Sequence, residues 1–191
     1  MTDPGAFSTL QSEEKNISAI LITHEHQDHI DLPALRTVLD RNPHTRILTN
    51  RGVGAILTHE GIAHELLEHG QKADIDGVSI EGYGERHAVL YPTIPQVTNT
   101  GYSIAGRFFY PGDALFIPEE RVEMLALPVG GPWLKLSEAI DYAKAVAPKT
   151  SFPVHDGMFK TPGIWHRMPS QLLSTEGIGF TSLDAGGTIE F

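Results

Sequence analysis

Short apolar, strand-like segments alternate with amphipathic, helix-like ones along the chain, and this alternation predicts an α/β fold of mixed sheets with helices outside. Two further observations support that class. Pairs of segments fold back around tight turns, so part of the sheet is antiparallel. No linker-like stretch interrupts the 191 residues, so residues 1–191 read as one domain.

Taken in order, Ile17 to Ile22 reads as a buried strand, being short, apolar and rich in β-branched residues. Thr23 to Asp31 is polar and must be a loop. Pro33 opens a helix with Leu32, Leu35, Val38 and Leu39 on one face. Arg46 to Thr49 is a short strand and Gly52 to Glu60 a helix. Val78 to Tyr83 closes a hairpin after Asp76-Gly77. Thr100 to Ile104 and Arg107 to Tyr110 form a second hairpin turning at Ala105-Gly106. Leu125 to Val129 is a further buried strand, and Ser151 to Val154 another. Between them Ser137 caps a helix that Pro148 stops, with Ala139, Ile140, Ala143, Val146 and Ala147 inward. Thr188 to Phe191 is the last strand expected.

Composition narrows the chemistry. A chain of this length buries roughly 68–70% of its unfolded surface, so it needs no disulfide staple. There are no cysteines, which excludes disulfides, thiolate metal sites, iron–sulfur clusters and a cysteine nucleophile. The formal charge of −10 disfavours nucleic acid and anionic membranes as partners. No apolar run approaches the ~20 residues of a membrane span, and no secretion signal is recognisable, so a cytoplasmic protein is expected. His59 and His64 stand five apart, about 140° around a helix, so they are not a zincin pair. Gly101-Tyr102-Ser103-Ile104-Ala105 lacks the last glycine of a nucleophile elbow, and no phosphate-binding glycine loop is present.

The informative stretch is Thr23-His24-Glu25-His26-Gln27-Asp28-His29. His24 and His26 are two apart, so in an extended segment they project to one side and can share a metal ion. Asp28 and His29 come next as the chain turns and can reach a second. A lone loop histidine is ordinarily solvated, but three imidazoles and a carboxylate crowded behind a buried strand would repel once protonated and gain little from packing. Further ligands must come from other strand ends, and His87, Asp113 and His155 each sit just beyond one.

In this order the residues carry the pattern H-x-H-x-D-H and then His, Asp and His, and with it the chain resembles the metallo-β-lactamase superfamily. Asp3-Pro4-Gly5, Tyr110-Pro111-Gly112-Asp113, Pro132 to Ala139 and Pro153-Val154-His155-Asp156 are similar to its UlaG-like group, relatives of L-ascorbate-6-phosphate lactonase. The resemblance implies a four-layer αββα sandwich. It implies one metal on His24, His26 and His87, a second on Asp28, His29 and His155, and Asp113 bridging both. Superfamily members with Glu at the second motif position tend to be di-iron oxidoreductases. His26 occupies it here, which favours zinc and hydrolysis, with Mn²⁺ or Fe²⁺ also fitting such ligands. UlaG-like relatives begin with a strand hairpin ahead of Asp-Pro-Gly, and here about two strands of roughly 5–6 residues are absent. An N-terminally shortened fold is therefore expected, with a bare sheet edge that a homo-oligomeric partner covers unless the start site is misplaced.

The implied function is hydrolysis of a small ester, lactone or phosphoester by a water held between two dications, with Asp28 and Asp113 as catalytic residues. Two bound dications change the net charge from −10 to about −6 and make the mouth positive, so a small anionic substrate fits. Thr23 and Asp156 are candidates for bracing the ligands, and Trp133, Lys160, His166, Arg86 and Arg167 for meeting substrate. Rival readings are a shortened non-catalytic metal-binding or interaction protein, and a metal-dependent ribonuclease or phosphodiesterase. A di-iron redox role is more distant.

Overall fold

The computed structural model describes residues 1–8 and 10–189. After a 3-10 turn at Gln11–Glu13, the chain runs β1 (Ala19–Ile22), α1 (Leu32–Arg41), β2 (Arg46–Thr49), α2 (Arg51–His59), β3 (Glu65–Leu66), β4 (Lys72–Ile75) and β5 (Val78–Tyr83). It continues through β6 (Gly101–Ile104), β7 (Phe108–Tyr110), β8 (Met124–Pro128), α3 (Leu136–Val146), β9 (Thr150–Val154), α4 (Gly163–Ser174) and β10 (Gly179–Phe180). A parallel sheet has the order β1-β2-β3, and a mixed sheet the order β10-β9-β8-β7-β6-β5-β4. The hairpins β4–β5 and β6–β7 are antiparallel, while β7, β8, β9 and β10 run parallel.

Strand alternation sorts the core into three zones. Ile20 and Ile22 pack with Ile47 against Leu35 and Val38 of α1 and Val53 and Leu57 of α2. Leu21, between them, points the other way and meets Leu48, Ile75, Ile80 and Tyr102 between the sheets. On the far face Phe109, Leu125 and Leu127 pack under Ala139, Ile140 and Ala143 of α3 and Leu173 of α4. The result is the α/β sandwich of four layers expected from the sequence. Tyr102 stitches the layers by donating its hydroxyl to the Ile22 carbonyl at 3.1 Å. No helix among the described residues is long and apolar enough to cross a membrane.

Most expected boundaries agree within a residue or two, β3, α4 and β10 lie outside the expected elements, and three expectations differ. Ser137 is not the cap of α3. Lys135 holds that position, because the Glu138 carboxylate accepts its backbone N–H at 2.8 Å and draws Ser137 into the first turn. The strand expected at Thr188 to Phe191 is absent at Thr188 and Ile189, while Glu190 and Phe191 lie outside the described residues. The free side of β1 is also occupied. Thr2 bridges Leu21 in parallel, the Met1 ammonium donates to Ala19 O, and Leu21 N donates to Met1 O, so Met1–Asp3 runs along the strand.

Parallel alignment brings the carboxyl ends of β5, β7 and β9 to one edge of the mixed sheet, and the loop residues just beyond each strand gather there. Leu21 is 2% exposed, so Leu21→Ala is expected to cost about 2–5 kcal/mol, read as a lower urea midpoint. Val78→Ala, on an exposed strand position, should change the midpoint little.

Candidate metal centre

His24, His26, Asp28 and His29 leave β1 on a loop whose shape the N-terminal segment enforces. Ala6 N donates to Gln27 O and Asp31 N to Pro4 O, wrapping Pro4–Ala6 over the loop. Gly5 approaches so closely that a Cβ there would lie 1.8 Å from Asp28 O. His29 N and Ile30 N both donate to His26 O, and this turn brings the His29 ring back to within 3.9 Å of the His24 ring, centroid to centroid. Asn50 caps α2 through Gly52 N and Val53 N and donates its amide to Thr23 O at 2.7 Å.

The remaining groups arrive from the mixed sheet. His87 lies beyond β5, Asp113 beyond β7, and His155 directly after β9 in a left-handed conformation at φ 61°. Gly112, at φ 63°, would drive a Cβ to within 2.8 Å of Thr23, so only glycine lets Asp113 come this near the β1 loop. Asn99 fixes the same turn, accepting Asp113 N at 3.0 Å and donating to Pro111 O at 2.9 Å.

Seven side chains thus converge. The ligand atoms of His24, His26 and His87 lie within 4.8 Å of one another, as do those of Asp28, His29 and His155. Asp113 stands between the two trios. Its Oδ2 is 3.3 Å from His87 Nε2 and 3.2 Å from His155 Nε2, and its Oδ1 is 3.2 Å from His29 Nε2. Asp28 Oδ2 is 3.2 Å from His155 Nε2. Despite these distances His29 Nε2, His87 Nε2, Asp113 Oδ1 and both ring nitrogens of His155 are buried without a hydrogen-bond partner. Buried polar atoms are otherwise satisfied almost without exception. Convergent imidazole and carboxylate lone pairs, shielded from water, suit a divalent cation of the zinc type.

The far ring nitrogens of His24, His29 and His87 are held from behind, as ligating imidazoles require. His29 Nδ1 lies 2.6 Å from Asp3 Oδ2, and His87 Nδ1 lies 2.6 Å from Ala88 O. Thr23 Oγ1 is 3.0 Å from His24 Nδ1 and donates to Asp3 Oδ2 at 2.7 Å. Asp3 also accepts Thr23 N at 2.7 Å, from a buried backbone with φ 42°. Sequence reasoning places Asp3 within Asp-Pro-Gly without giving it a role. Its only local signal is a carboxylate in a turn tripeptide, and the pairing of Met1–Asp3 with β1 is what carries it to His29. Trp133, a substrate candidate from sequence, is 8% exposed and donates its indole N–H to Asp113 Oδ2 at 2.7 Å. Asp156 pairs with His166 at 2.7 Å, and Lys160 and Arg167 are exposed. Arg86 lines a separate cleft of about 620 Å³ that contains none of the seven.

Charge is distributed unevenly among the imidazoles. Burial pushes His24 down to about 2, helped by the neighbouring His29, and burial lowers His26 as well. Burial also disfavours a charged His29, yet Asp3 and Asp113 raise it to about 10. His155 is raised to about 9 against its burial by Asp113 and Asp28. The close approach of His155 holds Asp28 at about 2. Burial works against the Asp113 carboxylate, but the imidazoles of His155, His29 and His87 close around it keep it far below the usual range.

The chain belongs to the family described as the beta-lactamase superfamily domain, whose model matches residues 1–155. It is 36% identical over 181 residues to protein Rv0786c of Mycobacterium tuberculosis, covering 91% of this chain and 84% of that one. A UPF0173 metal-dependent hydrolase of Thermoplasma acidophilum is 22% identical over 160 residues, 78% of this chain and 70% of its own. Among solved structures, one from Parabacteroides distasonis superposes with a TM-score of 0.74 at 25% identity, covering 95% of this chain and 82% of that chain. Igni18, a metallo hydrolase of Ignicoccus hospitalis, shares the fold with a TM-score of 0.73 at 22% identity, covering 99% and 87%.

Without metal, His29 and His155 carry protons at neutral pH, since both are raised above the ordinary 6.5. Their ion pairs stabilise the metal-free chain fully below pH 6.5 and lose that contribution as pH climbs through about 9 and 10. A cation held by these two imidazoles would displace both protons. Calorimetric titration with Zn²⁺ at pH 7, in buffers of differing ionisation enthalpy, should therefore show about two protons released per chain. Asp3→Asn should bring that release toward one and weaken metal binding about 10–100-fold. Release near zero in the unaltered chain would show that the imidazoles are not displaced.

Proposed function

We propose that this metal-dependent hydrolase cleaves a small ester, lactone or phosphoester with a pair of divalent cations, zinc in the first instance. In this reading His24, His26 and His87 hold one cation, Asp28, His29 and His155 the other, and Asp113 both. The observation that carries the reading is the group of buried, unpartnered ring nitrogens of His29, His87 and His155, from two trios, with Asp113 Oδ1 between them. The similarity of Tyr110 to Asp113 and of Pro153 to Asp156 to the UlaG-like group supports placing the chain there.

Bound cations would supply a water acidic enough to attack at neutral pH and Lewis-acid stabilisation of the oxygen on which charge develops. The chain's own residues do the rest. Asp28 is 22% exposed in its side chain, which leaves its carboxylate at the mouth, able to accept a proton from the attacking water. Asp113 is nearly buried, and the Trp133 N–H fixes its rotamer between the two trios. Thr23 and Asp3 hold His24 and His29 with their Nε2 atoms turned inward, so little rearrangement is needed as substrate arrives. No side-chain nucleophile is required, consistent with a chain that has no cysteine.

Treatment with a strong chelator should abolish hydrolysis of an activated ester, and added Zn²⁺ should restore it. Asp113→Ala and His26→Ala should lose metal and activity together, by at least about 10²-fold in kcat/KM. Full activity after stripping, with metal content verified as nil, would contradict the proposal.

A further inference from the structure

A cavity of about 330 Å³ opens beside Asp28, His29 and His155, and its composition bears on what lies there. Phe7 and Met158 form part of its wall, together with Tyr110, Pro153 and Val154. Phe7 is 64% and Met158 48% exposed, so two large apolar side chains stand in water at the rim of a polar centre. Among the described residues lining the cavity there is no lysine or arginine, and Asp28 and Asp156 are there instead.

No lysine or arginine of the described residues lines this cavity, Lys160 and Arg167 being exposed outside it. Arg86 and Arg51 line the separate, larger cleft, where Glu68 grips Arg51 through contacts of 2.8 and 2.6 Å. His166 is held by Asp156. A phosphoester keeps charge on oxygens beyond the reacting one, and this wall offers those oxygens carboxylates rather than a guanidinium fork. An acyl chain, by contrast, would release water from Phe7 and Met158, and each buried methylene favours binding about fourfold.

Resting on the hydrolase reading above, we propose that the substrate is an uncharged ester or lactone whose apolar acyl part lies against Phe7 and Met158, and that phosphoesters are excluded. In the reaction a C–O bond forms from water to the acyl carbon and the acyl C–O bond to the leaving oxygen breaks. One water proton goes to that oxygen. The products are a carboxylic acid and an alcohol or, from a lactone, one hydroxy acid.

The test uses the full chain loaded with Zn²⁺. It compares kcat/KM for p-nitrophenyl acetate, butyrate and hexanoate with that for bis-p-nitrophenyl phosphate, after subtracting the rate of the chelator-stripped chain. Phe7→Glu and Met158→Glu are carried in parallel, with metal content measured. The expected result is a rise of about two- to fourfold per added methylene. The phosphodiester should be slower than any ester, and salt up to ~0.5 M should leave ester rates unchanged. Either glutamate variant should keep its metal and lose the chain-length dependence. Equal rates from acetate to hexanoate, a phosphodiester faster than hexanoate, or unaltered chain-length dependence in both variants overturns the proposal. If no substrate of either kind is hydrolysed, the hydrolase reading fails, and equilibrium binding of an N-hexanoyl lactam judges the cavity by itself. Binding weakened about tenfold by the glutamates supports an apolar-acyl site, and no binding overturns it.

Discussion

Asp113 is a carboxylate with Nε2 atoms of His24, His29, His87 and His155 all within 3.9 Å, at a point where little water reaches. Such a cluster is costly to assemble from one chain, because buried imidazoles repel when charged and leave unpaired lone pairs when neutral. The rest of the fold can be understood as the framework that makes the cluster tolerable. Two sheets pack face to face, and β5, β7 and β9 end at one edge. Loops from that edge and from β1 then carry imidazoles and a second carboxylate inward to Asp113.

Rigidity comes from elements that are not themselves at the centre. Asp3 accepts from Thr23 N, Thr23 Oγ1 and, on the same carboxylate, lies against His29 Nδ1. It thereby ties Met1–Asp3, β1 and one imidazole into a unit. Gly5 and Gly112 permit backbone approaches that any side chain would block. Non-glycine residues with positive φ at Asp3 and His155 flank the same centre, and unusual backbone conformations concentrate where a site must be held in place. Trp133 extends the support to the outer side of Asp113.

Much of this was legible in the sequence, for reasons that differ by element. β2 and β5 have the apolar, β-branched character and turn-forming boundaries that local physics recognises. α4 was invisible because Gly163 opens it and Pro169 sits inside it, both poor helix residues, and its packing against α3 and β10 overrides that. β3 and β10 have two residues each, too few for any periodicity. The H-x-H-x-D-H loop was readable because its imidazoles and carboxylate are local. His87, Asp113 and His155 could be selected as strand-end residues, but their convergence depends on sheet order, which local pattern does not encode. Asp3 and Trp133 act through contacts across 26 and 20 positions, and nothing in their immediate neighbourhood announces it.

The most direct measurement is anomalous diffraction at the zinc edge from crystals of the Zn²⁺-loaded chain. Two peaks should be found, one among His24, His26 and His87 and one among Asp28, His29 and His155, each in contact with Asp113. Peaks confined to surface histidines, or a fully loaded chain with no density between the two trios, would contradict the two-cation centre.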